Sequence, residues 1–259
     1  MNQGKWALIT GASGGIGLDL AHLMAHDGLN LVVIARRQAK LEELKSELEK
    51  NHSIQVKVLV KDLSEPESPK EIHSELVKEN ISIDILVNNA GFGSCGPFYK
   101  SDLEKELDMI QVNITSLVHL SRLFIEPMVK KGGGKVLNVA SSAAFQPGPG
   151  MANYFAGKAY VLHFSEALRN ELIGTGVTVT CLCPGPTQTE FFKNARMGDS
   201  GLASRKMDSL KVAEIGYNAL KKGKTVIIPS MVNKLMTFTV RMAPRKMVAK
   251  ITEWMIKNS

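Results

Sequence analysis

A tyrosine and a lysine stand four residues apart in Asn153-Tyr154-Phe155-Ala156-Gly157-Lys158. A phenol is a poor proton donor or acceptor at neutral pH, because its ordinary pKa is about 10. On a helix this spacing puts an ammonium one turn away, which favours the phenolate and draws that pKa toward the working range. A lone Tyr-x-x-x-Lys is common by chance. Here it comes with a glycine-rich turn at Thr10-Gly11-Ala12-Ser13-Gly14-Gly15-Ile16-Gly17, the run Asn88-Asn89-Ala90-Gly91, and Ser141 thirteen residues before the tyrosine. Four signals in this order are hard to explain as coincidence.

These residues need a scaffold, and the hydrophobic pattern supplies one. Strands are predicted at Trp6 to Thr10, Asn30 to Ala35, Gln55 to Lys61, Ile83 to Asn88, Lys135 to Ala140, Val177 to Cys183 and Thr225 to Ile228. They are rich in Val, Ile and Leu with little alternation, as strands buried on both faces are. Helical patterns fall between them at Gly15 to Asp27, Gln38 to Lys50, Ser68 to Lys78, Leu103 to Lys130, Ala152 to Ile173 and Lys206 to Lys221. The alternation predicts an α/β single-domain Rossmann fold, a doubly wound seven-stranded parallel sheet with helices on both faces. No linker or repeat divides the 259 residues, so residues 1–230 are read as that domain, and 231–259 as a C-terminal helical extension belonging to it.

The glycine turn follows a strand and opens a helix, the context in which such a motif binds nucleotides. Gly11 permits the tight turn, Gly15 and Gly17 let backbone approach a pyrophosphate, and the helix N-terminus offers free N–H groups. The second strand ends in Ala35-Arg36-Arg37. An acidic residue there would accept from the ribose 2′-OH of NAD, whereas a guanidinium suits a 2′-phosphate. NADP(H) is therefore expected, with Arg36 and either Ser13 or Arg37 at the phosphate. Asp62-Leu63 stands where a carboxylate could accept from an adenine amino group, and Asp62 reads equally as a helix cap.

Taken together these residues make the chain resemble a short-chain dehydrogenase/reductase, from Lys5 to about Glu190. The resemblance rests on the glycine turn, Asn88 to Gly91, Asn113, Ser141, Tyr154-x-x-x-Lys158 and Pro184-Gly185. It implies reversible hydride transfer between a nicotinamide and a carbonyl or secondary alcohol. Tyr154 would be the acid in reduction and the base in oxidation. Lys158 would favour its ionised form and bind the nicotinamide ribose. Ser141 would donate to the substrate oxygen, with Ser142 competing for that role, and Asn113 would hold a water in a proton relay. Ile16, Asn89, Ala90 and Gly91 would line the nucleotide, and Pro184, Gly185, Thr187 and Thr189 would pack on its nicotinamide and pyrophosphate. Gly157 departs from the family pattern, which often has Ser there, in a helix where Gly costs ~1 kcal/mol against Ala. Family members usually pair through the helices around Asn113 and Tyr154, so a homodimer or homotetramer is implied.

The resemblance leaves two segments open. Residues 190–205 stand where the family carries a substrate lid; Gly198 and Gly201 suit a moving loop, and Phe191 and Phe192 either line a pocket or pack in the core. The extension holds Lys234, Arg241, Arg245, Lys246, Lys250 and Lys257 against Glu253, a balance of +5 within a total of +7. Basicity so confined gives no ground for a nucleic-acid partner. Met247, Val248, Ile251, Trp254 and Met255 make one helical stripe, with a weaker one at Val232, Leu235, Met236 and Thr239. Such a helix can cover the protein's own pocket, pack on a partner or lie on an anionic membrane surface. Five methionines hint at a greasy substrate. Three cysteines, Cys95, Cys181 and Cys183, suit a reducing compartment, no metal-ligand spacing occurs, and the cytoplasm is the default location. The leading expectation is an NADP(H)-dependent oxidoreductase of a hydrophobic carbonyl or alcohol. The alternatives are a catalytically silent nucleotide-binding regulator or scaffold, and a membrane-surface reductase of lipid-like ketones.

Overall fold

The computed structural model of the protein describes residues 4–191, 195 and 206–257. Seven strands, β1 (Trp6–Thr10), β2 (Asn30–Ala35), β3 (Val56–Val60), β4 (Ile83–Asn88), β5 (Gly134–Val139), β6 (Val177–Leu182) and β7 (Val226–Ile227), form one sheet in the order β3-β2-β1-β4-β5-β6-β7. All six pairings are parallel. Each strand lies within one residue of its predicted bounds.

Alternate side chains of each strand point to opposite faces, and both faces are covered. Ala7, Ile9, Leu31 and Val33 pack under α1 (Gly15–His26), α2 (Gln38–Asn51) and α7 (Ser209–Lys221). Leu8, Val32, Leu86 and Val136 pack under α3 (Ser68–Lys78) and α5 (Ser116–Lys130). Burying these rows supplies the main drive for folding. Helix α7 starts three residues later than predicted, because Asp208 caps it by accepting from Leu210 N–H.

The predicted helix over 103–130 is three pieces: α4 (Leu103–Ile110), a π-helical turn at Gln111–Thr115, and α5. The wide turn falls where Asn113 reaches across to the main chain of Phe92. Such turns cost helical hydrogen-bond geometry and are found often at functional sites. α6 (Ala152–Glu171) carries Tyr154 and Lys158, and the extension folds as α8 (Met231–Thr239) and α9 (Arg245–Lys257). Among the described residues, no helix is long and apolar enough to cross a membrane.

The strand order reverses between β1 and β4, the crevice where doubly wound sheets bind ligands. The two strand ends are tied there. The Thr10 hydroxyl donates to Val87 O (3.2 Å) and accepts from the N–H groups of Asn89 and Ala90 (3.0 Å each). The Asn89 carboxamide donates back to Thr10 O (2.9 Å).

A buried polar chain fixes the next layer. Asn88 Nδ2 donates to Asn138 Oδ1 (2.9 Å) and Ser121 Oγ (3.1 Å), and Asn138 Nδ2 donates to Ser165 Oγ (2.9 Å). Side chains of β4, β5, α5 and α6 are thereby held in one register. Asn138→Ala strands two buried partners, each costing about 1–3 kcal/mol. Urea unfolding of that variant is expected to show a loss of roughly 2–4 kcal/mol; a loss under roughly 0.5 kcal/mol, the scale of a neutral surface change, would mean the chain does not hold the layer.

Candidate active site

The turn between β1 and α1 is a cradle that side chains would fill. Gly11 and Gly15 hold φ of 69° and 56°, the left-handed region that favours glycine. A Cβ on Gly15 would lie 2.7 Å from the Thr189 methyl, and one on Gly11 would lie 2.9 Å from Asn89 Nδ2. The bare backbone thus leaves a channel between this turn, Asn89 to Gly91, and the segment after β6. Gly17 has another task than the one expected. It is buried, and a Cβ there would strike the Asn89 amide and Gly11 O, so Gly17 brings α1 close onto the strand ends and does not face the cleft.

A cavity of about 290 Å³ occupies the crevice, lined by Gly11, Ser13, Gly15, Ile16, Asn89, Ala90 and Gly91 at one end. At the other stand Ser141, Ser142, Tyr154, Lys158, Pro184, Gly185, Thr187 and Thr189. A second space of about 480 Å³ continues from it past Arg36, Arg37, Asp62 and Leu63. Of the residues singled out in the sequence, Gly17 and Asn113 line neither space.

Ser141 ends β5. Its Oγ accepts from Ala143 N–H (3.1 Å), capping the short helical turn that follows, and the same hydroxyl stands beside the Tyr154 phenol. Ser142 anchors its own N–H on Pro184 O at 2.8 Å. Asn113 spends both ends of its carboxamide on Phe92, accepting from its N–H at 3.1 Å and donating to its O at 2.9 Å. Its side chain therefore does not reach the cavity as a water holder.

The electrostatics correct the expectation for Tyr154. Burial pushes the phenol up to about 12, with the Ser141 hydroxyl acting the other way. The nearby charge of Lys158 does not overcome that burial. The ammonium donates to Val139 O at 2.8 Å and sits 5.8 Å from the ring centroid. Burial brings Lys158 itself down to about 8. Desolvation outweighs the local charge here, a balance that residue spacing cannot reveal.

Of the arginine pair, Arg36 is exposed and among the described residues reaches Asp62, at 3.5 Å. Arg37 is the one held in the cleft. It donates to Ser13 Oγ (3.2 Å), Ser13 O (2.8 Å) and Glu190 Oε2 (2.8 Å). Asp62 Oδ1 closes a turn on Ser64 and does not cap α3, which starts at Ser68 with no side-chain cap.

Glu190 was missed as a partner because 153 residues separate it from Arg37. Phe191, left open in the sequence, lies against Tyr154 with ring centroids 5.0 Å apart. Thr252 and Met255 of α9 also line the cavity, a role that no local motif announces. The rest of the expected lid, with Phe192, Gly198 and Gly201, lies outside the described residues. Cys181 and Cys183 are free thiols 3.7 Å apart, and among the described residues no group of side chains could hold a metal.

The chain is similar to known proteins in sequence and in fold. The family model described as short chain dehydrogenase matches residues 5–200. The very-long-chain 3-oxoacyl-CoA reductase of Anas platyrhynchos is 34% identical over 195 residues, 73% of this chain and 62% of that protein. The 17-beta-hydroxysteroid dehydrogenase type 3 of Mus musculus is 32% identical over 263 residues, 99% of this chain and 85% of that protein. The short-chain dehydrogenase from Sphingobium yanoikuyae, solved in complex with NADPH, superposes with a TM-score of 0.83 at 29% identity, covering 92% of this chain and 93% of that one.

The lowered Lys158 makes stability depend on pH. Between about 8 and the ordinary 10.5, the unfolded chain keeps a proton that the folded one has released, so stability rises with pH across that window. Below about 8 the cost of the buried charge is fully present. Urea midpoints measured from pH 8 to 10.5 should rise in the native protein relative to Lys158→Met, which lacks the group. Parallel curves for the two proteins would refute the buried charge.

Proposed function

The chain belongs to the short-chain dehydrogenase family, and on that premise we propose that it is an NADP(H)-dependent oxidoreductase reducing the carbonyl of a hydrophobic compound to a secondary alcohol. One observation carries the reading: Ser141, Tyr154 and Lys158 share a single cavity with the glycine cradle.

The residues present fit the dinucleotide. The backbone at Gly11, Gly15 and Ile16 would take the pyrophosphate at the N-terminus of α1. Asp62 and Leu63 would flank the adenine, Asn89 to Gly91 the adenosine ribose, and Pro184 to Thr189 the nicotinamide end. Arg37 and Arg36 would share the 2′-phosphate, Arg37 exchanging the Glu190 carboxylate for it. When bound, the cofactor supplies a hydride at the nicotinamide C4.

The chain's own groups handle the oxygen. As hydride reaches the carbonyl carbon, negative charge builds on the carbonyl oxygen, where the Ser141 hydroxyl donates a hydrogen bond. Tyr154 gives its proton to that oxygen, completing the alcohol and leaving a phenolate. The nearby Lys158 ammonium offsets the phenolate charge until the proton is replaced. A phenol held near 12 keeps its proton at neutral pH, which favours the direction of reduction. Any water relay through Asn113 falls to its main-chain carbonyl, since its carboxamide is taken.

Phe155, Phe191, Met151 and Met255 give the reacting end an apolar lining. The names of the two relatives, a very-long-chain acyl reductase and a hydroxysteroid dehydrogenase, support the same class of large apolar carbonyl substrate. Self-association is read through α4 and α6, where Leu103, Leu107 and Tyr160 are exposed.

Purified protein should oxidise NADPH with a member of a panel of apolar ketones. Tyr154→Phe should lower kcat by about 10²–10⁴-fold while NADPH binding, followed by its fluorescence, stays near native. Retained turnover in that variant would sink the assigned acid. Arg37→Ala should lower kcat/KM for NADPH by about 10–100-fold and leave NADH nearly unchanged. An equal loss with both cofactors would place Arg37 away from the 2′-phosphate.

A further inference from the structure

The extension does two things at once. The inner side of α9 buries Val248, Thr252 and Ile256, and Ile256 joins the cluster of Ala143, Met151 and Phe155 against which Tyr154 packs. Asn233 of α8 lies close against Gly185, and Thr237 is buried one turn on. The pocket-cover reading is thus satisfied by these inner faces alone. The stripe expected in the sequence splits: Val248 and Met255 turn inward, while Met247, Ile251 and Trp254 stay exposed, Trp254 by 67%.

The exposed side chains fall into a repeated pattern. The clearest rows are Met231, Leu235 and Phe238 on α8, where Val232 and Met236 are exposed beside them, and Met247, Ile251 and Trp254 on α9. Both sets have the spacing i, i+4, i+7, which at about 100° per residue is one narrow ridge. Lys234 lies beside the first ridge, and Lys246, Lys250 and Lys257 lie beside the second, within about 40° of one another. Each helix therefore carries a buried face and an exposed apolar ridge, flanked by one lysine on α8 and by three on α9. Met242, between the two helices in the sequence, is 79% exposed. Lys257 is paired with Glu253 on its own helix, and that glutamate is the only acidic residue in the extension.

A monomer seldom leaves rows of large apolar side chains exposed on two consecutive helices without a partner for them. Charge complementarity selects the partner. A two-fold contact between copies would set a surface of net +5 against itself. An anionic bilayer meets it with opposite charge: lysine stems run along apolar side chains and raise their ammonium groups to the headgroups.

We propose that α8 and α9 form a foot that seats the protein on an anionic lipid surface, with both apolar ridges in the interface and Lys234, Lys246, Lys250 and Lys257 at the headgroup phosphates. The opposite side of α9 lines the cavity with Thr252 and Met255, so the foot borders the reacting end. Given the catalytic reading above, on which this clause rests, apolar substrate reaches the cavity from the bilayer side.

The test is co-sedimentation of the full chain with vesicles of phosphatidylcholine, alone or mixed with phosphatidylglycerol. Binding should be at least about tenfold stronger to the mixed vesicles and weaken with added salt. Leu235→Glu with Ile251→Glu should abolish it while thermal midpoint and NADPH binding hold. Lys246→Gln with Lys250→Gln should weaken it by roughly ten- to thirtyfold and reduce the salt dependence. Failure to bind mixed vesicles, or equal binding by the glutamate variant, overturns the foot. So does a self-association that the glutamate variant abolishes without any vesicle binding, which would assign the ridges to a second copy. Vesicle binding is measured without cofactor or ketone. A chain that binds vesicles and reduces nothing would sink the catalytic reading and leave the foot standing.

Discussion

The active crevice exists because a parallel sheet must reverse its strand order somewhere, and here the reversal between β1 and β4 is locked by one hydroxyl and one carboxamide. Thr10 satisfies its full hydrogen-bonding capacity on Val87, Asn89 and Ala90, and Asn89 returns the contact to Thr10 O. Buried groups paired this fully define a single arrangement, since any slip would strand them. The glycine turn and the Asn89 to Gly91 strip hang from the same tie. Gly11 and Gly17 owe their lack of a side chain first to Asn89, and the channel they border follows from that packing. The buried chain from Asn88 through Asn138 to Ser165 then carries the register on to α6, which holds Tyr154 and Lys158.

Most of this was legible because it is local. Uninterrupted Val/Ile/Leu runs mark strands covered on both faces, and the helical stretches between them leave a parallel sheet as the simplest assembly. The glycine turn, Ser141 and the Tyr154–Lys158 pair could be placed because strand ends on one edge of such a sheet must meet. Whatever depends on distance through space was hidden. Spacing along α6 suggested that Lys158 would acidify Tyr154, yet the fold buries both and lets a backbone carbonyl take the ammonium. The sequence favoured Arg36 for the phosphate, and only the position of Ser13 and Glu190 brings Arg37 forward instead. The helix over 103–130 read as uniform because a π-helical turn needs no special residue, only a side chain such as Asn113 committed elsewhere. In the extension, apolar periodicity located a stripe without saying which of its members meet the core.

The polar groups at the reacting end are governed by burial more than by charge. A phenol near 12 beside an ammonium near 8 is a pair in which each group is pushed toward neutrality. Such a pair holds its proton firmly on the oxygen until a stronger base is created next to it, and the oxygen of a carbonyl whose carbon takes up hydride would be that base. The low dielectric that raises the phenol also strengthens the attraction between a new phenolate and Lys158. A resting state that keeps its proton and a product state that keeps its charge pair follow from the same apolar walls.

The clasp between Arg37 and Glu190 ties the two ends of the cleft into one thermodynamic cycle. Glu190 adjoins Phe191, whose ring rests on Tyr154, so the backbone that carries one carries the other. An anion that takes Arg37 must release Glu190, and the freed carboxylate is then repelled by the newcomer. The segment that steadies the phenol ring is therefore sensitive to what sits at the far arginine. By reciprocity, a molecule wedged against Phe191 changes how tightly that distant anion is held.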